Sequence, residues 1–166
     1  MERPLTARGR RDATALGRRL GAGEGVFGLR QVALPEVALC SAAVRTRQTA
    51  ELVNRAMGDR LPLDAFRSLY GATTETTLRV IQEIDDDVRS ALMVGHNPTI
   101  YRLVWELVSP VPGSDVEEEI EGDDRSLLRA HGFPTCALAV VALEVETWQA
   151  CADGRGSLAG LFKPPY

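Results

Sequence analysis

Two short apolar runs, at 37–40 and 91–94, and a short strand candidate at 63–66 alternate with stretches whose apolar residues recur at helical spacing. Runs of that length read as buried strands, and the stretches between them read as amphipathic helices. Parallel strands need a long crossover, which a helix supplies, so the alternation implies βαβ units and an α/β sandwich. In such sheets a ligand sits beyond the carboxyl ends of the strands. The residues just past 37–40 and 91–94 therefore become the candidates for function.

Residues 6–20 form the first helical pattern, with Ala13, Leu16 and Leu20 on one face and arginines on the other. Thr6 suits its N-cap, and the glycine-rich stretch 21–25 terminates it. Ser41 caps a helix over 44–57 that presents Ala50, Val53 and Met57. Leu78, Ile81 and Ile84 define a helix over 76–84, and a further helix is expected from Pro98 to about Val108. The valine-rich run 137–145 reads as a last strand, and the tail 153–166, with its glycines and Pro164-Pro165, as irregular. All 166 residues are expected to form a single domain, a length that buries roughly two-thirds of the unfolded surface.

The chain carries 19 basic and 23 acidic side chains, but seven of the acidic ones fall between Asp115 and Asp124. That segment, 110–124, reads as a solvated acidic loop; repulsion of anionic substrates or docking of a basic partner is the alternative. The remainder is net basic and can form a cationic pocket. Scattered arginines and a 5% aromatic content give no footprint for nucleic acid. Cys40, Cys136 and Cys151 are odd in number and lack paired spacing, which excludes a disulfide framework and a metal site. Cys40 and Cys136 adjoin apolar runs and read as small core residues. With four arginines among the first eleven residues there is no signal-peptide core, and no apolar run is long enough to cross a membrane. The expectation is a cytoplasmic protein without cofactor or metal.

Residues 94–99 read Val-Gly-His-Asn-Pro-Thr. They put His96 at a strand end, Asn97 at an N-cap and Pro98 at the first helical position. The positive end of a helix dipole favours an anion there. Arg45 falls on the first turn of the helix after Ser41, where its guanidinium can reach toward His96 and fork onto phosphate oxygens. A solvated helix-surface arginine and a hydrogen-bonded core histidine are the alternative readings of the two residues.

Four ordered stretches resemble the histidine phosphatase superfamily, with its phosphoglycerate-mutase-like fold, and within it the SixA-type phosphohistidine phosphatases. They are Arg3-Pro-Leu-Thr-Ala-Arg-Gly9, Ser41-Ala-Ala-Val-Arg-Thr-Arg-Gln-Thr-Ala50, Val94-Gly-His-Asn-Pro-Thr99 and Phe133-Pro-Thr135. Ser68-Leu-Tyr-Gly-Ala72 adds a weaker match. The resemblance implies a three-layer α/β/α sandwich around a mostly parallel sheet. It also implies a phosphate-clamping role for Arg45, a second active-site histidine at His96, and phosphate contact by Asn97.

The same resemblance exposes a difference. The family's first strand, central in its sheet and ending in Arg-His, carries the nucleophile, and nothing in this sequence matches it. Its absence implies that two neighbouring strands each expose an unpaired edge, at about 1–3 kcal/mol for each buried unsatisfied group. His131, in Arg129-Ala-His131-Gly132, precedes the final strand and so lies at the wrong end of the sheet to substitute. Two functions follow as expectations. One is a phosphatase acting on protein phosphohistidine or a small phosphomonoester, whose nucleophile-bearing strand precedes the residues given, so that the chain as given is expected to be inactive. The other is a phosphate- or phosphoprotein-binding module without turnover. A phosphorylated imidazole leaves without help from a strong general acid, and the one weak acid candidate, Glu75, reads better as an exposed helix-start carboxylate. That favours phosphohistidine over an ester.

Overall fold

The computed structural model describes residues 2–22, 29, 33–109, 128–130 and 132–166. The acidic loop 110–124, His131 and most of the glycine-rich stretch 21–25 lie outside the described residues. The elements follow the order α1 (Ala7–Gly21), β1 (Val37–Ser41), α2 (Val44–Met57), β2 (Leu63–Phe66), α3 (Thr74–Gln82), β3 (Ala91–Val94), α4 (Thr99–Leu107), β4 (Leu138–Leu143) and β5 (Gly156–Phe162).

Strands β2, β1 and β3 form a parallel sheet in that order, with Cys40 opposite both Ala65 and Val94. Helices cover both faces, so the fold is the three-layer α/β sandwich. On one face, Ala13, Leu16 and Leu20 of α1 and Val53 and Met57 of α2 pack on Ala38 and Leu92. On the other, Leu39 meets Val80 of α3, and Leu103 and Leu107 of α4 share a cluster with Met93. Successive strand residues point to opposite faces, so each short apolar run serves both helical layers at once.

Two local devices orient the helices. Thr6 caps α1 by accepting the Gly9 amide at 3.1 Å. Gly58, at φ 98°, ends α2 in the left-handed region, and the Asn54 side chain then bonds both the N–H and the C=O of Leu61. Helices α1 and α2 touch backbone to backbone. A Cβ at Gly17 would lie 2.3 Å from the Val53 carbonyl oxygen and 2.7 Å from the Ala56 Cβ. Gly17→Ala is therefore expected to destabilise the chain by about 1–3 kcal/mol despite the better helix propensity of alanine. Denaturant unfolding measures this, and an unchanged or higher midpoint contradicts the close contact.

The sheet does not continue from β3 to β4. Among the described residues, β4 pairs only with β5, antiparallel, from Leu138 opposite Phe162 to Leu143 opposite Gly156. Yet β3 and β4 rest on the same helical layers: Leu138 and Val140 pack with Leu92 on the α1/α2 side, and Val141 and Leu143 with Met93 on the α4 side. Between them runs an apolar slot of about 590 Å³, walled by Ala91, Leu92 and Met93 and by residues Leu138 to Leu143. Among the described residues, neither strand edge bordering this slot has a strand partner.

Four expectations are corrected. The tail 153–166 is not irregular: residues Gly156–Phe162 form β5. Its glycines disguise a strand because they sit at close approaches, where a Cβ at Gly156 would lie 2.7 Å from Val141 Cγ1. Ser41 ends β1 instead of capping α2, whose N-cap is Ala43. Helix α4 starts at Thr99, with Pro98 in the cap position, so Asn97 is not its cap. Cys136 is only partly buried; it turns the chain at φ 61° ahead of β4, whereas Cys40 is fully buried.

Candidate functional site

Parallel register places the ends of β1 and β3 side by side, and the residues beyond them meet. Arg45, on the first turn of α2, directs a terminal guanidinium nitrogen to Nδ1 of His96 at 2.9 Å. Arginine can only donate, so Nδ1 must accept, and the ring proton resides on Nε2. Nε2 in turn donates to Oγ of Ser41, 2.9 Å away. Ser41 Oγ also takes the Ala43 amide at 3.4 Å, and Thr46 Oγ1 bonds the Ser41 and Ala43 carbonyls at 2.8 Å each. These bonds lock the β1–α2 corner from which Arg45 projects.

The backbone of His96 is held equally well. Its carbonyl accepts the Ile100 amide at 2.9 Å in the entry to α4. Gly95 makes that entry possible, since a Cβ there would meet Ile100 Cδ1 at 2.7 Å. Asn97 is exposed, and its Nδ2 donates to the Phe133 carbonyl at 2.6 Å, tying the approach to β4 to this end of the sheet. Gln48, also on α2, accepts the Leu5 amide at 2.8 Å, which brings the segment leading into α1 to the same end.

Tyr70 completes the cluster. It follows a short turn after β2 and stands edge-on to His96, with ring centroids 5.7 Å apart and planes at 87°. The Arg45 guanidinium carbon lies 6.0 Å from its centroid. Glu75 takes the exposed role expected of it, pairing with Arg79 at 2.5 Å on the solvent side of α3. Among the described residues, no group of three or more His, Cys, Asp or Glu side chains is arranged to hold a metal ion.

Burial, and secondly the neighbouring Arg45 charge, hold the His96 imidazole below its ordinary pKa of 6.5. The fold thus favours neutral His96, as its acceptor role toward Arg45 requires. The associated stability is fully present above the unfolded value and is lost as pH falls through the lower folded value. His96→Gln is expected to flatten the fall in thermal midpoint between pH 7 and pH 5 relative to the wild type. Identical pH profiles for the two proteins contradict the assignment.

The chain has relatives in sequence and in structure. An uncharacterized protein of Mycobacterium tuberculosis is 33% identical, spanning 98% of this chain and 90% of that protein. An uncharacterized protein of Mycobacterium leprae is 30% identical over 64% of this chain and 58% of its own length. No family model matches the chain. Among solved structures, a candidate phosphohistidine phosphatase SixA from Nakamurella multipartitia superposes with a TM-score of 0.78 at 29% identity, covering 99% of this chain and 87% of that one. A candidate SixA from Agrobacterium tumefaciens gives 0.68 at 25% identity over 98% and 84%.

The chain belongs to the histidine phosphatase superfamily, in its SixA-type branch.

A candidate alpha-ribazole-5'-P phosphatase from Escherichia coli, at 16% identity and a TM-score of 0.55, shares the superfamily fold. For a histidine phosphatase the sequence reading was incomplete in two respects. It did not include Ser41 as the partner of His96, having read that residue as a cap. It also left Tyr70 out of the site, although the weak match over 68–72 contains it. Nothing in local periodicity reports an aromatic ring delivered from a separate strand.

Proposed function

We propose that Arg45 and His96 clamp one phosphoryl group, and that the substrate is a phosphohistidine on a protein. The observation that supports this most is the 2.9 Å contact between the Arg45 guanidinium and His96 at adjoining strand ends. A guanidinium and an imidazole gathered at one strand-end corner supply donors to the equatorial oxygens of a phosphoryl group once His96 is protonated, and stabilisation of that kind is usually the largest single contribution in such reactions. In the ligand-free chain the pair satisfies itself. A phosphoryl dianion reverses the balance: it favours imidazolium, which repels the guanidinium and turns both groups onto the phosphate. Asn97 follows His96 at the same strand end with its amide on the Phe133 carbonyl, and we assign it a supporting contact to the phosphate.

In the family's reaction a neutral imidazole attacks phosphorus, the N–P bond forms as the leaving group departs, and water then hydrolyses the phosphohistidine. Among the described residues the only histidine is His96, and both its ring nitrogens are engaged. On this reading a strand ending in Arg-His would seat in the slot between β3 and β4, against Leu92, Met93, Val140 and Val141. The engagement of His96 also favours a second reading, a binding module that grips phosphorylated protein without turning it over.

Phosphorus NMR on the purified 166-residue chain separates the two. Release of phosphate from a phosphohistidine-bearing protein supports the phosphatase. Phosphate binding with no release supports the module. If inorganic phosphate does not bind at all, neither reading survives.

A further inference from the structure

Beside the Arg45–His96 pair lies a second hollow, about 440 Å³, lined by Ala42, Arg47, Arg67 and Tyr70. Its two arginines arrive from different elements, Arg47 from α2 and Arg67 from the turn after β2. Both are exposed, and among the described residues no carboxylate oxygen lies within 4.0 Å of either guanidinium. Tyr70 is common to both places: it forms a wall of the hollow and stands edge-on to His96. We propose that this hollow is a subsite for a second negative charge on the substrate, a carboxylate flanking the phosphorylated residue in an acidic peptide segment.

The inference rests on the phosphoryl-clamp reading above and gives its substrate a further feature. Three physical points carry it. Two like charges facing one hollow repel each other unless an anion sits between them, and guanidinium forks match carboxylate oxygens in geometry. An extended peptide advances about 3.3 Å per residue, so a side chain one to three positions from the phosphorylated residue reaches past a ring 5.7 Å from His96. Tyr70 offers such a peptide an aromatic surface, being 43% exposed. The hollow is open to solvent, so the effect is one of selectivity and is sensitive to salt.

The test uses two peptides carrying a hydrolysis-resistant phosphohistidine mimic, one flanked by aspartates and one by alanines. Their affinities are measured by fluorescence anisotropy at low and high salt, with inorganic phosphate as competitor. The acidic peptide is expected to bind about tenfold more tightly at low salt, with the ratio shrinking as salt rises. In the double variant Arg47→Ser and Arg67→Ser, its affinity falls to that of the neutral peptide. Equal affinities in the wild type, or a preference that persists in the double variant, overturn the subsite while leaving the clamp standing. A wild-type chain that binds neither peptide and is indifferent to inorganic phosphate overturns the clamp, and the subsite with it.

Discussion

Supplying a short apolar strand that ends in Arg-His to the slot between β3 and β4 is expected to raise both the stability of the chain and its phosphatase rate. The slot is apolar, spans about 590 Å³ and is bordered by two strand edges without partners among the described residues. An extended peptide satisfies both requirements: its side chains meet Leu92, Met93, Val140 and Val141, and its backbone groups pair with the two edges. Each buried backbone group that gains a partner recovers about 1–3 kcal/mol, so a shift of several degrees in thermal midpoint is the minimum expected. The chemical gain is larger. Deleting a single preorganised donor from an active site costs about 10²–10³ in rate, and supplying a histidine nucleophile is expected to change it by more than that. A control peptide with alanine in place of its histidine separates the effects: it retains the stabilisation and gives no turnover. A strand that produces no thermal shift at saturating concentration removes the proposed seat of the nucleophile.

Arg45→Ala is expected to weaken inorganic phosphate binding by about 10- to 100-fold, the equivalent of one or two charge-assisted hydrogen bonds. Arg45→Lys recovers part of the loss, since it restores the charge without the fork. The substitution has a second signature. Arg45 is one of the two influences that depress the His96 pKa, the lesser after burial. Its removal therefore moves the imidazole pKa upward toward the ordinary value, which proton NMR of the ring resonances follows directly. A phosphate affinity within twofold of wild type means the guanidinium serves only to hold His96.

Much of this molecule was legible before any coordinates. The helix read over 44–57 has those bounds, and the strands read at 63–66 and 91–94 do as well. Arg45 and His96 were singled out as neighbours from strand-end placement alone, and they touch. The reason is that short parallel strands flanked by amphipathic helices leave few topologies, and each such topology gathers its strand ends on one side. Where reading failed, the cause was a contact distant in sequence. β5 carries glycines because Val141 and Phe162 crowd them, so a tail that is a strand looks like a loop. Asn97 looks like a helix cap, but the Phe133 carbonyl claims its amide.

The sequence by itself determined the layers, the family and the juxtaposition of Arg45 with His96, because periodicity and strand-end motifs are local and survive without a partner. Only the tertiary structure decided which nitrogen of His96 carries the proton, that Tyr70 joins the pair, and that β3 and β4 stand on common helices with an open slot between them. Those features depend on distances between segments that no local pattern encodes: hydrogen-bond donors find acceptors, and strand edges find or lack neighbours, only when the whole chain has packed.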